Sequence, residues 1–154
     1  MNQLATQSIK GEILRIEETL SSKEIAFFGD SPECPLTHSF SEGMYTREIF
    51  IPAGTILVGK IHRHEHPNFI LKGSVVVLTE SGGQEEFIAP TYMISPAGTK
   101  RVVYTYEDTV WVTVHATNCK TPEEAEAEII ADGYDDEELN KNQVEALEAI
   151  KCLG

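Results

Sequence analysis

The stretch Lys60–Gly73, KIHRHEHPNFILKG, combines strand-forming residues with a cluster of histidines. Its second half, Asn68–Lys72, is rich in residues that favour strands, and the closing glycine is a turn signal. Its first half holds three of the five histidines, His62, His64 and His66, at two-residue spacing. Side chains of a regular strand alternate between faces, so these imidazoles would project together if the strand continued through them. The stretch therefore predicts β-structure that carries a cluster of histidines.

Short strand-like segments recur on both sides of this stretch, from about Tyr45 to Thr117. Turn signals such as Pro52-Ala53-Gly54, Ser81-Gly82-Gly83 and Pro96-Ala97-Gly98 separate them. No helical period intervenes, which excludes a parallel sheet with crossover helices. We therefore predict an all-β fold, an antiparallel sandwich or barrel. The predicted strands are Arg47–Ile51, Thr55–His62, Asn68–Lys72, Val75–Thr79, Glu86–Ile88, Tyr92–Ser95, Arg101–Tyr106 and Thr109–Thr117.

Helices are predicted on either side of this β-block. Apolar residues three to four apart indicate a short helix over Ser8–Leu20, and the Ser-, Pro- and Gly-rich residues 21–43 indicate a loop. Thr121-Pro122 followed by two glutamates is typical of a helix start, and we expect that helix to end near Ala131. A second helix is expected over Asp135–Ile150. Its weak apolar stripe consists of Leu139, Val144, Leu147 and Ile150.

The length of 154 residues suits one domain with a single core. We expect a single domain over residues 1–154, made of an N-terminal helix and loop (1–43), a barrel (44–118) and an acidic helical segment (121–154). That last segment holds 11 of the 25 acidic residues and 2 of the 12 basic ones, so it contributes −9 of the net −13. An acidic chain without a basic patch argues against nucleic acid and anionic membranes as partners.

The sequence also bears on the compartment. The N-terminal residues lack the basic and apolar regions of a signal peptide, and no apolar run approaches the ~20 residues that cross a bilayer. Three scattered cysteines, Cys34, Cys119 and Cys152, fit reduced thiols better than a disulfide framework. We expect a soluble, cytoplasmic protein.

The β-block resembles the cupin superfamily, whose members are small jelly-roll barrels with two short motifs that bracket a pocket. The first family motif reads G(x)5HxH(x)3-4E(x)6G, and Gly73 corresponds to its closing glycine. Counting back from Gly73 puts His66 at the motif's glutamate, His62 at its second histidine and Lys60 at its first. In another register, His62 and His64 are the paired histidines and the spacer is shorter.

The second family motif, G(x)5PxG(x)2H(x)3N, is similar to Pro96-Ala97-Gly98-Thr99-Lys100-Arg101, with Arg101 where the family has a histidine ligand. The resemblance covers about residues 45–117 and implies a jelly roll. The chain also looks like small single-domain cupins of bacteriophage genomes, which have no established activity. The resemblance and the apolar stripe together imply a homodimer, and a phage-encoded protein would work in the host cytoplasm.

The histidines themselves favour a metal site. Neutral imidazole is a good ligand for divalent transition metals such as Fe, Zn, Mn or Ni. The candidate ligands are His62, His64 and His66, completed by His115 from a later strand. An alternative stays open, because Val110, Val112 and Val114 would share the face opposite to His115. In that alternative the histidines, like His38, are hydrogen-bonded or surface residues.

Arg101 is the second feature with chemical meaning. If the Pro96–Gly98 turn directs it into the pocket, its guanidinium would bind a carboxylate or phosphate of a small anionic molecule. A surface ion pair is the alternative. Asn68 is a candidate for orienting the ligand, and Tyr104 and Trp111 are candidates for lining the pocket or for packing in the core.

Two hypotheses about function follow from these residues. The first is a metal-dependent enzyme with a histidine-lined pocket that acts on a small anionic metabolite. The second is a non-catalytic cupin that binds a small ligand, or serves as a structural or regulatory subunit, without a metal.

Overall fold

The computed structural model describes residues 3–23 and 30–152. Three helices and nine strands form in these ranges, and none of the helices is long and apolar enough to span a membrane. The helices are α1 (Gln3–Ser21), α2 (Pro122–Ile129) and α3 (Glu137–Cys152). The strands are β1 (Leu36–Ser41), β2 (Met44–Ile51), β3 (Ile56–Val58), β4 (His66–Lys72), β5 (Ser74–Thr79), β6 (Gly83–Ile88), β7 (Thr91–Ser95), β8 (Arg101–Thr105) and β9 (Thr109–Ala116).

The strands form two antiparallel sheets with the main core between them. The five-stranded sheet has the order β1-β2-β9-β4-β7, and the four-stranded sheet has the order β3-β8-β5-β6. The buried cluster joins Ile70 and Trp111 of the first sheet to Val75, Val77 and Val103 of the second. The predicted all-β antiparallel fold is therefore confirmed. The two sheets are not closed into a barrel, so the fold is the sandwich form of a jelly roll.

All eight predicted strands are present, with ends shifted by a few residues. β1 was missed, because its Ser content and the neighbouring prolines favour a loop. The signal for it was the alternation in Leu36–Ser41, whose burial alternates residue by residue. The predicted strand Thr55–His62 is too long, since β3 ends at Val58. The three histidines at two-residue spacing therefore do not share one strand.

A glycine makes the tight connection between β4 and β5. Gly73 adopts a φ of 93°, which L side chains rarely adopt. A Cβ at this position would also lie 2.6 Å from the carbonyl oxygen of Asp108. The turn therefore requires glycine, at the place where the family motif closes.

The C-terminal helices pack beside the histidine stretch. α2 begins as predicted, since the Thr121 side chain accepts a hydrogen bond from the Glu124 backbone N–H at 3.3 Å. Its Ala125 and Ile129 are buried against Tyr45. Leu139 of α3 is buried with Ile61 and Ala131, whereas the side chains of Leu147 and Ile150 lie outside the described part. The acidic segment is thus part of the packed structure, and most of its carboxylates are exposed, whereas that of Asp136 is buried.

Candidate metal centre

The loop between β3 and β4 carries His62, and backbone hydrogen bonds to the chain after α2 hold it in place. Ala131 donates to the Ile61 carbonyl at 3.0 Å, and Arg63 donates to the Ile129 carbonyl at 2.8 Å. His62 itself forms an isolated bridge with Ile130. A short antiparallel pairing with the C-terminal segment thus positions this histidine, although the residue lies outside the two sheets.

The side chain of Arg63 strengthens the same attachment. Its Nε and Nη2 donate to the two oxygens of Asp136 at 3.1 and 2.9 Å, and its Nη1 donates to the carbonyls of Ala127 and Glu128. Those carbonyls belong to the last turn of α2, where a cation is favourable. The role of Arg63 was not predictable from the sequence, because its partners are distant in the chain and only the fold brings them together.

His66 and His115 face each other across neighbouring strands. β4 pairs with β9 so that Asn68 is opposite Thr113. Two positions further along, the same antiparallel register sets His66 opposite His115, with their ring centroids 4.6 Å apart. Both are buried, with 3% and 5% of their surface exposed. His115 therefore points inward, and Val110, Val112 and Val114 lie on the opposite face of β9.

The three imidazoles form one compact group. The His62 ring centroid lies 4.3 Å from that of His66 and 5.0 Å from that of His115. One ring nitrogen of each histidine lies within 4.8 Å of the others. Nitrogens bound at about 2.1 Å to one tetrahedral metal lie about 3.4 Å apart, so small ring rotations would bring all three to bonding distance. The cluster contains no carboxylate among the described residues, which leaves coordination positions for water or a ligand.

Hydrogen bonds to the rings leave nitrogen lone pairs without partners. His66 Nδ1 lies 3.1 Å from the His64 carbonyl, so Nδ1 carries the proton and Nε2 keeps its lone pair. That Nε2 and His62 Nδ1 are buried without a hydrogen-bond partner in the described part. His115 Nε2 lies 3.0 Å from Thr113 Oγ1, and donation to that hydroxyl leaves its Nδ1 free. The rings of His66 and His115 are thus each oriented by a bond to one nitrogen, and unpartnered ring nitrogens of this kind fit a metal ion.

The protonation of the cluster also suits a metal. Burial lowers the pKa of His62 to about 2, that of His115 to about 3 and that of His66 to about 4. Interactions among the rings add to the lowering for His62 and His115, and Arg101 adds to it for His62 and His66. The imidazoles are therefore neutral at pH 7, which is the form that coordinates metals.

The two remaining histidines stand apart from this group. His64 is exposed, and its backbone carbonyl orients the His66 ring. His38 on β1 is half-buried, and its Nδ1 lies 2.6 Å from the Tyr45 hydroxyl. His38 therefore has a structural partner.

A polar network links the cluster to Arg101. The amide oxygen of Asn68 accepts hydrogen bonds from Arg101 Nη1 at 3.2 Å and from Trp111 Nε1 at 3.0 Å. Arg101 Nη2 donates to the Ser95 hydroxyl, and Ser95 is the cross-strand neighbour of His66. The guanidinium carbon lies 5.6 Å from the Trp111 ring centroid. Burial lowers the pKa of Arg101 to about 10, so the group stays charged at pH 7.

Tyr104 lies away from this network. It alternates with the buried Arg101, Val103 and Thr105 on β8 and so points to the other face of the sheet. Its side chain is 37% exposed and packs edge-on against Tyr106 at 5.3 Å. Of the four residues predicted to contact a ligand, the fold brings Asn68, Arg101 and Trp111 together and separates Tyr104 from them.

Solved structures of other proteins share this arrangement of sheets. The ectoine synthase of P. lautus is 13% identical, with 66% of this chain and 76% of that chain covered and a TM-score of 0.54. KdgF of Halomonas sp. is 13% identical, with 60% and 87% covered and a TM-score of 0.50. The cupin domain of Cnp3 from Schizosaccharomyces pombe is 18% identical, with 59% and 69% covered and a TM-score of 0.49.

The chain has a cupin fold. A scan against protein-family models finds no match, and a search of curated proteins finds no significant similarity. At 13% identity, the likeness to the ectoine synthase and to KdgF is a likeness of fold. A shared fold does not determine the chemistry, which depends on the residues of the site.

Proposed function

We propose that this cupin-fold protein binds one divalent transition metal, Fe, Zn, Mn or Ni, through His62, His66 and His115, and that it acts on a small anionic molecule. The observation that supports this proposal is the group of three neutral imidazoles whose ring nitrogens lie within 4.8 Å of one another. Two ring nitrogens of this group, His62 Nδ1 and His66 Nε2, are buried without a partner in the described ranges, 3–23 and 30–152. Such groups cost free energy unless something binds them.

A bound metal would polarise a carbonyl or activate a water at its open positions. The chain's own residues would then have three tasks. The His64 carbonyl holds the His66 ring in its tautomer, and Tyr45 stacks on His115 with ring centroids 6.0 Å apart. Ala125 and Ile129 cover Tyr45 and keep water from that side. Arg101 supplies the positive charge that an anion requires.

The second candidate is a cupin that binds a small ligand, or serves as a structural or regulatory subunit, without a metal. The packing of the rings favours it, because the His62 and His115 rings are nearly parallel, at 13°. Neutral rings stacked in this way are stable without an ion. No carboxylate in the described part joins the cluster as a fourth ligand.

Elemental analysis separates the two candidates. Protein without a histidine-rich tag, reconstituted with Fe, Zn, Mn or Ni, should carry about one metal per chain. His62→Ala should lose that metal, whereas the matched control His64→Ala should keep it, because His64 is exposed. A wild-type chain that stays free of metal with all four ions would refute the metal proposal and leave the second candidate.

We also propose that residues 1–154 form a single domain and that the protein assembles as a homodimer in the cytoplasm. The outer face of β7 supports the assembly, since Tyr92 and Ile94 are 68% and 51% exposed there. Exposed apolar groups of this size commonly mark interfaces.

A further inference from the structure

A cleft opens between the edge strands β6 and β7, where the two sheets separate. Its volume is about 140 Å³. The inner wall consists of Ser95 and Arg101, which are hydrogen-bonded to each other. The remaining lining residues are Val77, Thr79, Ser81, Gly82, Glu85, Phe87, Met93, Ile94, Pro96 and Thr99. Ser95 is the cross-strand neighbour of His66, so the inner end of the cleft lies next to the histidine cluster.

Arg101 has unused hydrogen-bonding capacity at this wall. It is 9% exposed, and its bonds to Asn68 and Ser95 occupy two of the five N–H groups of a guanidinium. No carboxylate in the described part forms an ion pair with it. The neighbouring Lys100 is directed elsewhere, since its Nζ lies 2.7 Å from both carboxylate oxygens of Glu17 on α1. Arg101 is therefore the cation that a ligand in the cleft would meet.

The surrounding charges disfavour a ligand that carries more than one negative charge. Glu80 is buried beside β8 and is close enough to raise the pKa of Arg101. The carboxylate of Glu85 lies against Gly82 in the lining of the cleft. One carboxylate close to the guanidinium and a second in the cleft lining penalise a second negative charge on the ligand, as in a phosphate dianion.

The dimensions and the walls define the rest of the ligand. A cavity of about 150 Å³ accepts benzene, so this cleft suits roughly six to eight non-hydrogen atoms. Val77, Phe87 and Met93 offer apolar walls, and Thr79 and Thr99 offer hydroxyls. This combination fits a short acid with an apolar tail.

We infer that the cleft between β6 and β7 binds a short monocarboxylate, whose carboxylate meets Arg101 and Ser95 beside the histidine cluster and whose apolar tail points toward Phe87 and Met93. The inference rests on the proposed function in that this acid would be the small anionic molecule. The cleft itself needs no metal, because Arg101 and Ser95 belong to the protein.

Calorimetry on the full-length chain, with and without chelator treatment, tests this inference. We expect butyrate and benzoate to bind in both preparations, and butyramide, which lacks the charge, to bind at least tenfold more weakly. Inorganic phosphate should also bind more weakly than butyrate. Arg101→Gln should bind butyrate at least tenfold more weakly than the wild-type protein. Arg101→Lys should restore the affinity only in part, because an ammonium group cannot form the bidentate hydrogen bonds of a guanidinium.

A blocking variant covers the case in which Arg101 variants fail to fold. Ser81→Trp, in the exposed turn that lines the cleft, should abolish butyrate binding. Ser41→Trp, at the exposed end of β1, should leave it unchanged. Binding that persists in Ser81→Trp, or phosphate that binds as well as butyrate, would overturn the inference.

The two proposals fail in different ways. A chain that takes up no metal but binds butyrate refutes the metal centre and keeps the cleft. Butyrate binding that disappears on chelation would mean that the acid sits on the metal instead, which overturns the cleft. Metal uptake without any butyrate binding would likewise overturn the cleft and leave the metal centre standing.

Discussion

Arg63 and Asp136 form a bidentate ion pair that connects the loop between β3 and β4, which carries His62, to the start of α3. The Nε–Oδ1 distance is 3.1 Å and the Nη2–Oδ2 distance is 2.9 Å. Asp136 also accepts a hydrogen bond from the Leu139 backbone N–H at 2.8 Å, and the Arg63 guanidinium holds the pKa of this carboxyl well below its usual range. The pair acts on His62 through the adjoining backbone.

We predict that Arg63→Lys weakens metal binding although the charge is kept. Lysine cannot reach both oxygens of Asp136 and the α2 carbonyls together, so His62 loses its fixed position. Loss of such a supporting contact lowers metal affinity by about 10-fold or more. Competition with a chromogenic chelator measures the change. Arg15→Lys, at an exposed pair on α1, is the control, and equal affinities for the two variants would contradict the prediction.

The metal-free protein should become less stable as the pH falls from about 6.5 toward 4. The cluster stays neutral in the native state because its pKa values are lowered, to about 4 for His66. The unfolded chain takes up protons near pH 6.5, so protonation favours the unfolded state by about 1.4 kcal/mol per pH unit for each histidine in this range. The free energy of unfolding, measured with urea across this pH range, should depend less steeply on pH in His66→Gln than in the wild-type protein. A slope as steep as that of wild type would count against the buried, neutral cluster.

The same experiment has an internal control in His64. Its side chain is exposed, so His64→Gln should keep the slope of the wild-type protein. Added metal should shift the loss of stability to lower pH, because protons and the metal compete for the same nitrogens.

The start of α2 should depend on Thr121. Its hydroxyl accepts the Glu124 backbone N–H, and Pro122 follows at the first helical position. Thr121→Ala should lower the free energy of unfolding by about 1 kcal/mol, and Thr121→Ser should restore most of it. Chemical denaturation measures both. If Ala and Ser at this position gave equal stability, the cap would have no energetic role.

Sedimentation tests the proposed homodimer. The wild-type protein should sediment as a species of twice 17.1 kDa at micromolar concentration. Tyr92→Lys should shift it toward the monomer, because it places a charge in the exposed apolar face of β7. Tyr104→Lys, on the other sheet, is the matched control. A monomeric wild-type chain would refute the assembly, and a Tyr104 effect as large as that of Tyr92 would refute its location.

The strands were predictable because turn residues separate short apolar segments, and each strand needs only local information. The path of the chain through the histidine stretch was not predictable from the sequence. Gly59 lies against the Arg101 side chain, and a Cβ at this position would lie only 3.2 Å from Arg101 Cγ. β3 ends just before this glycine. The chain then leaves the sheet, so the spacing of His62 and His66 does not reflect a strand period.

The grouping of the histidines depends on long-range register. His115 joins His66 through the β4–β9 ladder, and His62 joins them through Ile130. Neither pairing has a local signature in the sequence. The motif register against Gly73 did point to His62 and His66, whereas the role of Arg63 left no recognisable trace.

The pairing of Ile61–Arg63 with Ile129–Ala131 sets an order of events during synthesis. Both sheets can form once β9 has left the ribosome, since every sheet strand precedes residue 117. His62 acquires its position only when the later segment arrives. A nascent chain that ends before Ile129 would therefore carry two aligned imidazoles, and the third would join them only in the finished protein.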